Sequence, residues 1–191
     1  SDDGKNDFDA TKLPFYEKDV ENLSYDYSNK QRIIPIWQSN VIYNEQLMVV
    51  EKDGVIQGKL LYKPSRVIAV KDATLKTEYQ EGKDYVINGD VITLPEGSAI
   101  PVFKDEWSEG KNVPAAYPEG DAATGYQMIG SVIYTESRLI WGNYIHVTYA
   151  YDPADFDRTT VKSFGDELYG LSQKIKAKEN IRMTVFGDSI S

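Results

Sequence analysis

From Tyr25 to Tyr151 the chain is broken every few residues by a turn signal, and the pieces between the breaks are strand-sized. Residues 32–37, 46–51, 55–62, 66–70, 85–87 and 91–94 are short runs rich in Val, Ile, Leu and Tyr. Between them stand Lys52-Asp53-Gly54, Glu81-Gly82 and Asn88-Gly89, turn sequences in which glycine supplies a positive φ. Short strands separated by turn residues predict a sandwich or a barrel. The 14 tyrosines point the same way, because aromatic rings pack well on a pleated surface. The expectation is a mainly β fold, an antiparallel β-sandwich of jelly-roll type.

Individual elements follow from the same signals. Residues 32–37 predict a first strand, placed at an edge or bulge by Pro35, which has no N–H to give to a ladder. Runs 46–51 and 55–62 predict a hairpin across Asp53-Gly54. Runs 85–87 and 91–94 predict a second hairpin across Asn88-Gly89. Gly and Pro at high density make 104–125 a loop. Residues 127–135 and 139–151 predict two long final strands, the second bent at Gly142-Asn143. Residues 163–178 predict a helix, with Phe164, Leu168, Leu171 and Ile175 on one stripe and Ser163 as its N-cap. Lys174, Lys176 and Lys178 suit the negative end of its dipole.

Composition excludes several classes of function. A net charge of -9 repels nucleic acid and anionic lipid, so neither is an expected partner. No apolar run approaches the 18 residues or so that a membrane span needs. With no cysteine there is no disulfide, thiolate metal site or cysteine nucleophile. Residues 1–14 are polar and read as a tether, compatible with the start of an exported or lipid-anchored protein after processing.

The chemistry-bearing motif comes at the other end. The apolar run Met183-Thr184-Val185-Phe186 leads into Gly187-Asp188-Ser189. A buried strand delivering a Gly-Asp-Ser turn resembles the first block of the SGNH (GDSL-type) hydrolases of bacteria. The resemblance implies that Ser189 is the nucleophile that attacks an ester carbonyl and gives one N–H to the oxyanion hole. Gly187 and Asp188 then shape the turn. It implies ester hydrolysis, plausibly deacetylation of a carbohydrate, in an exported or cell-surface protein, with no metal and no organic cofactor. A serine hydroxyl needs an adjacent base, and the family's Asp-x-x-His block is absent from these residues. The only histidine is His146, in a run that alternates like a strand. The chain is therefore expected to be inactive alone, with the remaining catalytic domain as its partner. Tyr79-Gln80-Glu81-Gly82-Lys83-Asp84-Tyr85 also resembles β-sandwich modules that precede some SGNH hydrolases.

The domain expectation is a tether over 1–14, a sandwich over 15–152, a linker and helix over 153–180, and the first strand and nucleophile turn of an α/β domain over 181–191. Two other functions stay open for the sandwich. It binds carbohydrate through its aromatics, Trp107 being the candidate because it stands in a polar loop, or it packs on the catalytic domain and self-associates. The competing reading of these aromatics, Trp107 included, is core packing, which is the commoner role of a large ring in a β-rich chain. Asp152, Asp155 and Asp157 form an acidic cluster that reads as a solvated linker rather than a metal site, lacking the glycine and final glutamate of a calcium loop.

Overall fold

The computed structural model describes residues 8–26, 34–114, 128–129, 132–133, 138–156 and 169–182. The chain divides into two compact units between Phe156 and Asp157. The first unit holds strands β1 (Val41–Met48), β2 (Val50–Lys52), β3 (Val55–Lys59), β4 (Pro64–Asp72), β5 (Val86–Asn88), β6 (Val91–Thr93), β7 (Phe103–Lys104), β8 (Met128–Ile129), β9 (Val132–Ile133) and β10 (Tyr144–Tyr151). It also holds two short helices, α1 (Asp105–Ser108) and α2 (Arg138–Trp141). One sheet has the order β1-β10-β4, a second β5-β6-β3-β2-β7, and β8 pairs with β9 alone. All pairings are antiparallel except β2 with β7. The described residues are thus mainly β and sandwich-like, as expected, with the two larger sheets sharing a core and, among these residues, no closed barrel.

β10 is the centre of that core. Its odd residues Ile145, Val147, Tyr149 and Tyr151 are buried with Leu47 and Val70 from the neighbouring strands and with Leu60, Tyr85, Ile92 and Ile100 from around the second sheet. Each such side chain stabilises the fold by about 1.5–3 kcal/mol. Gly58 sets the spacing of the sheets. A Cβ there would stand 2.5 Å from the Leu47 side chain and 2.9 Å from that of Ile92. The chain passes from one sheet to the other between β1 and β2, at Val49, whose carbonyl accepts the Phe103 N–H at 2.9 Å. A strand that changes sheets in this way makes a corner of the sandwich.

The even residues Thr148 and Ala150 of β10 are buried too. The N-terminal segment bonds to this sheet. Arg66 of β4 donates to the carbonyls of Val20 and Leu23, and Asn40 exchanges two hydrogen bonds with the Glu17 backbone, at 2.7 and 2.9 Å. Within the tether region, Ala10–Lys12 is a 3₁₀ helix capped by the Asp9 side chain, and just beyond it Phe15 bridges to Ser39.

Both hairpins form. β2 and β3 meet across Asp53-Gly54, as expected. β5 and β6 pair Asn88 with Val91, so the second turn is centred on Gly89-Asp90, one residue beyond the Asn-Gly reading. Three further expectations are corrected. Ile36–Gln38 is a 3₁₀ helix rather than the end of a strand, because Pro35 withholds a ladder N–H and accepts the Gln38 N–H instead. Residues 104–108 are not loop: Lys104 ends β7 and α1 follows it, since Phe103 and Trp107 have a shared apolar cluster to enter. Residues 138–141 are helical rather than extended, because Leu139 is drawn into that same cluster.

The second unit contains α3 (Tyr169–Lys176), within the expected helix and with Lys174 and Lys176 in its last turn. Ser163, Phe164 and Leu168 lie outside the described residues.

Candidate functional site

The motif residues Gly187, Asp188 and Ser189 lie outside the described residues. The titratable groups of the first unit have well-defined surroundings. His146 sits on β10 between Gln46 and Lys71. Burial lowers its pKa below the ordinary imidazole value, and its Nδ1 is enclosed. A half-buried imidazole in mid-strand holds a sheet position.

Glu45 and Tyr149 form a second polar pair. A bulge between Ile42 and Glu45, with Asn44 at φ 54°, re-aims β1 against β10. The Tyr149 hydroxyl donates to the Glu45 carboxylate and accepts the Tyr62 N–H at 3.2 Å. Glu45 also accepts the Leu61 N–H at 2.8 Å. Burial pushes both pKa values up, Glu45 against the pull of its hydrogen bonds and Tyr149 with help from the carboxylate beside it. Tyr62 stacks on Tyr151 at 4.8 Å. The pair ties the 60–62 crossover to the core.

The Tyr79–Tyr85 motif is a third lock. Asp84 is almost wholly buried and accepts the Gln80 N–H at 2.8 Å and the Ala99 N–H at 3.3 Å. The Gln80 N–H is the main reason its carboxyl is held below the usual range. Tyr85 is pushed up to about 12 by burial and by nearby Glu81, Glu78 and Asp84. Both tyrosines of the motif enter the core.

Trp107, the tryptophan singled out from sequence, is half-buried on α1 and meets Phe103 edge-on, with ring centres 5.4 Å apart. Asp152 caps the 3₁₀ helix Pro153–Asp155 by accepting the Ala154 N–H at 2.9 Å. Asp157 is outside the described residues, and among the described ones no acidic or histidine group is arranged to hold a metal.

A cleft of about 360 Å³ was not foreseen from sequence. Its register explains its position. Ile145 at the start of β10 pairs with Asp72 at the end of β4, so α2 and the turn after β4 become neighbours. Asp72, Thr74, Thr77 and Tyr79 line one side, and Arg138 and Trp141 the other. Ala99 and Pro101 add apolar surface. Asp72 closes its turn by accepting the Lys76 and Thr77 N–H groups at 2.9 and 3.1 Å. Burial works against ionisation, but these bonds and the Thr74 hydroxyl outweigh it and keep the carboxyl below its ordinary range. On the other side, Asn143 donates to the Leu139 carbonyl at 2.7 Å and Gly142 to that of Arg138 at 2.9 Å, which closes α2. The Arg138 guanidinium stands 5.5 Å from the centre of the Trp141 ring. A sequence signal for this wall existed: Gly142-Asn143 is a helix stop as much as a strand bend.

No family model, no curated protein and no solved structure matches this chain.

Proposed function

We propose that the sandwich is the accessory domain of a bacterial, exported serine esterase acting on acyl esters, in which Ser189 is the nucleophile and Gly187 and Asp188 shape its turn. The observation that carries this reading is the sequence Met183–Ser189 itself, an apolar run followed by Gly-Asp-Ser. What supports an accessory role for the first unit is the use it makes of its ionisable groups. Glu45 is engaged by Tyr149, Asp84 by two backbone N–H groups, and His146 lies in the middle of a sheet. Proton transfer to a serine requires a base within hydrogen-bond reach; Glu45 and Asp84 are engaged in bonds that hold the fold, and the His146 Nδ1 is enclosed. The reading therefore needs a proton acceptor for Ser189 other than His146, supplied by the catalytic domain that the resemblance implies.

The test is hydrolysis of acetyl esters by the natural gene product and its Ser189→Ala variant. The expected result is a fall in kcat of at least about a thousandfold. The 191-residue chain alone should hydrolyse p-nitrophenyl acetate no faster than its own Ser189→Ala variant. Equal activity of the two gene products sinks the nucleophile assignment.

A further inference from the structure

The cleft between the Asp72 turn and α2 has no role in that reading. Its surface combines three things that one class of ligand requires together. The first is a flat apolar plate. Trp141 keeps 45% of its surface open although it belongs to a helix whose Leu139 is wholly buried. Arg138 stands against its ring and restricts it. A large aromatic left this open beside a concavity is a surface for stacking. The second is a rim of small hydrogen-bonding groups with capacity to spare. Asp72 Oδ1 accepts the Lys76 and Thr77 N–H groups, the Thr74 hydroxyl reaches both carboxylate oxygens, at 3.0 and 2.9 Å, and the Thr77 side chain also bonds the carboxylate. A carboxylate oxygen has two lone pairs, and a threonine hydroxyl that donates can still accept. The third is charge balance: among the described residues of the lining, the charged ones are Asp72 and Arg138, one of each sign.

We propose that this cleft binds one or two rings of a neutral saccharide, stacked on Trp141 and held at its hydroxyls by Asp72 and the Thr74 and Thr77 side chains. A pyranose is the ligand with an apolar C–H face and a rim of hydroxyl donors and acceptors. Its face matches the indole, and its hydroxyls match the carboxylate and the threonines. The volume lies at the lower end of the range of about 300–1,000 Å³ usual for small-molecule sites. A phosphate or an acidic sugar meets one guanidinium against a carboxylate, on a chain whose net charge is -9. The inference is independent of the esterase reading, since it concerns binding by the first unit and needs neither Ser189 nor turnover.

Titration of the 191-residue protein with cellobiose, xylobiose, mannobiose, diacetylchitobiose and digalacturonate, followed by tryptophan emission and checked by calorimetry, tests it. At least one neutral disaccharide is expected to give a saturable shift at millimolar concentration or below. Trp141→Ala should weaken that binding by about tenfold or more, while Trp141→Tyr, which keeps a stacking plane, stays within about threefold. Trp37→Phe alters the other strongly exposed tryptophan and should leave the affinity unchanged. Thermal melts establish that the variants fold. If Trp141→Ala does not fold, Thr74→Val decides the matter in its place by losing affinity. The proposal is overturned by the absence of a saturable response to every neutral sugar, by binding that survives Trp141→Ala or is untouched in Thr74→Val, or by digalacturonate binding more tightly than the neutral disaccharides. Loss of ester hydrolysis in Ser189→Ala with sugar binding intact separates this site from the catalytic assignment.

Discussion

The two sides of the cleft are held in place by opposite means. The arm from Asp72 to Tyr85 is shaped by its own short-range chemistry. Two carboxylates gather backbone N–H groups, Asp72 from Lys76 and Thr77 and Asp84 from Gln80, and Gly82 takes a φ of 79°. The arm from Arg138 to Asn143 has little of this. α2 is four residues long, far below the length at which a helix is stable by itself. It persists because Leu139 is buried against Phe103 and because Asn143, itself buried, bonds to the Leu139 carbonyl. One arm carries its shape with it, and the other borrows its shape from the core.

The sharpest way to break this contrast is Leu139→Ala. Removing a fully buried leucine should cost about 2–5 kcal/mol in urea unfolding, and a cost below about 1 kcal/mol shows that α2 does not depend on the core. Asn143→Ala should come next, at about 1–3 kcal/mol, because it leaves the Leu139 carbonyl without its buried donor. Gly82→Ala tests the local arm. There is open space around the position, so the cost is backbone strain alone, about 1–2 kcal/mol. A neutral result there means that the turn is set by Asp84 rather than by its glycine.

The smallest effect concerns pH and also separates two kinds of carboxylate. Asp84 and Asp72 have lowered native pKa values, so the stability they contribute is present above the ordinary aspartate range and is lost as pH falls. Glu45 has a raised native value, with the opposite sign. It favours the fold most while protonated, and its contribution declines as pH rises from the ordinary glutamate value through the raised one. Glu45→Gln should remove that decline, read as a flatter dependence of the urea midpoint between about pH 4 and 7. Asp84→Asn should flatten the acid limb instead. An unchanged slope in Glu45→Gln contradicts a buried, destabilised carboxylate at that position.

These differences also account for what sequence reading reached. The hairpin at Asp53-Gly54, the existence of a second hairpin around Gly89 and the Tyr79–Tyr85 turn were legible, because each depends on residues within a few positions of one another. Residues 139–141 look like a continuation of β10, with the same apolar character and the same aromatics. The burial of Leu139 against Phe103 and the Asn143 bond to the Leu139 carbonyl make a helix preferable there. Trp107 stood out in sequence for its polar neighbours, but those neighbours say nothing of Phe103, whose ring meets its indole.

By itself, the order of residues determined the β class and the two hairpins, because short strands and glycines at positive φ are local properties. The tertiary structure alone decided that Asp72 and Arg138, 66 positions apart by their numbers, share a cleft and that Trp141 faces it half open. The physical reason is the pairing of Ile145 with Asp72, a hydrogen-bonded register between distant strands that no stretch of the sequence specifies alone.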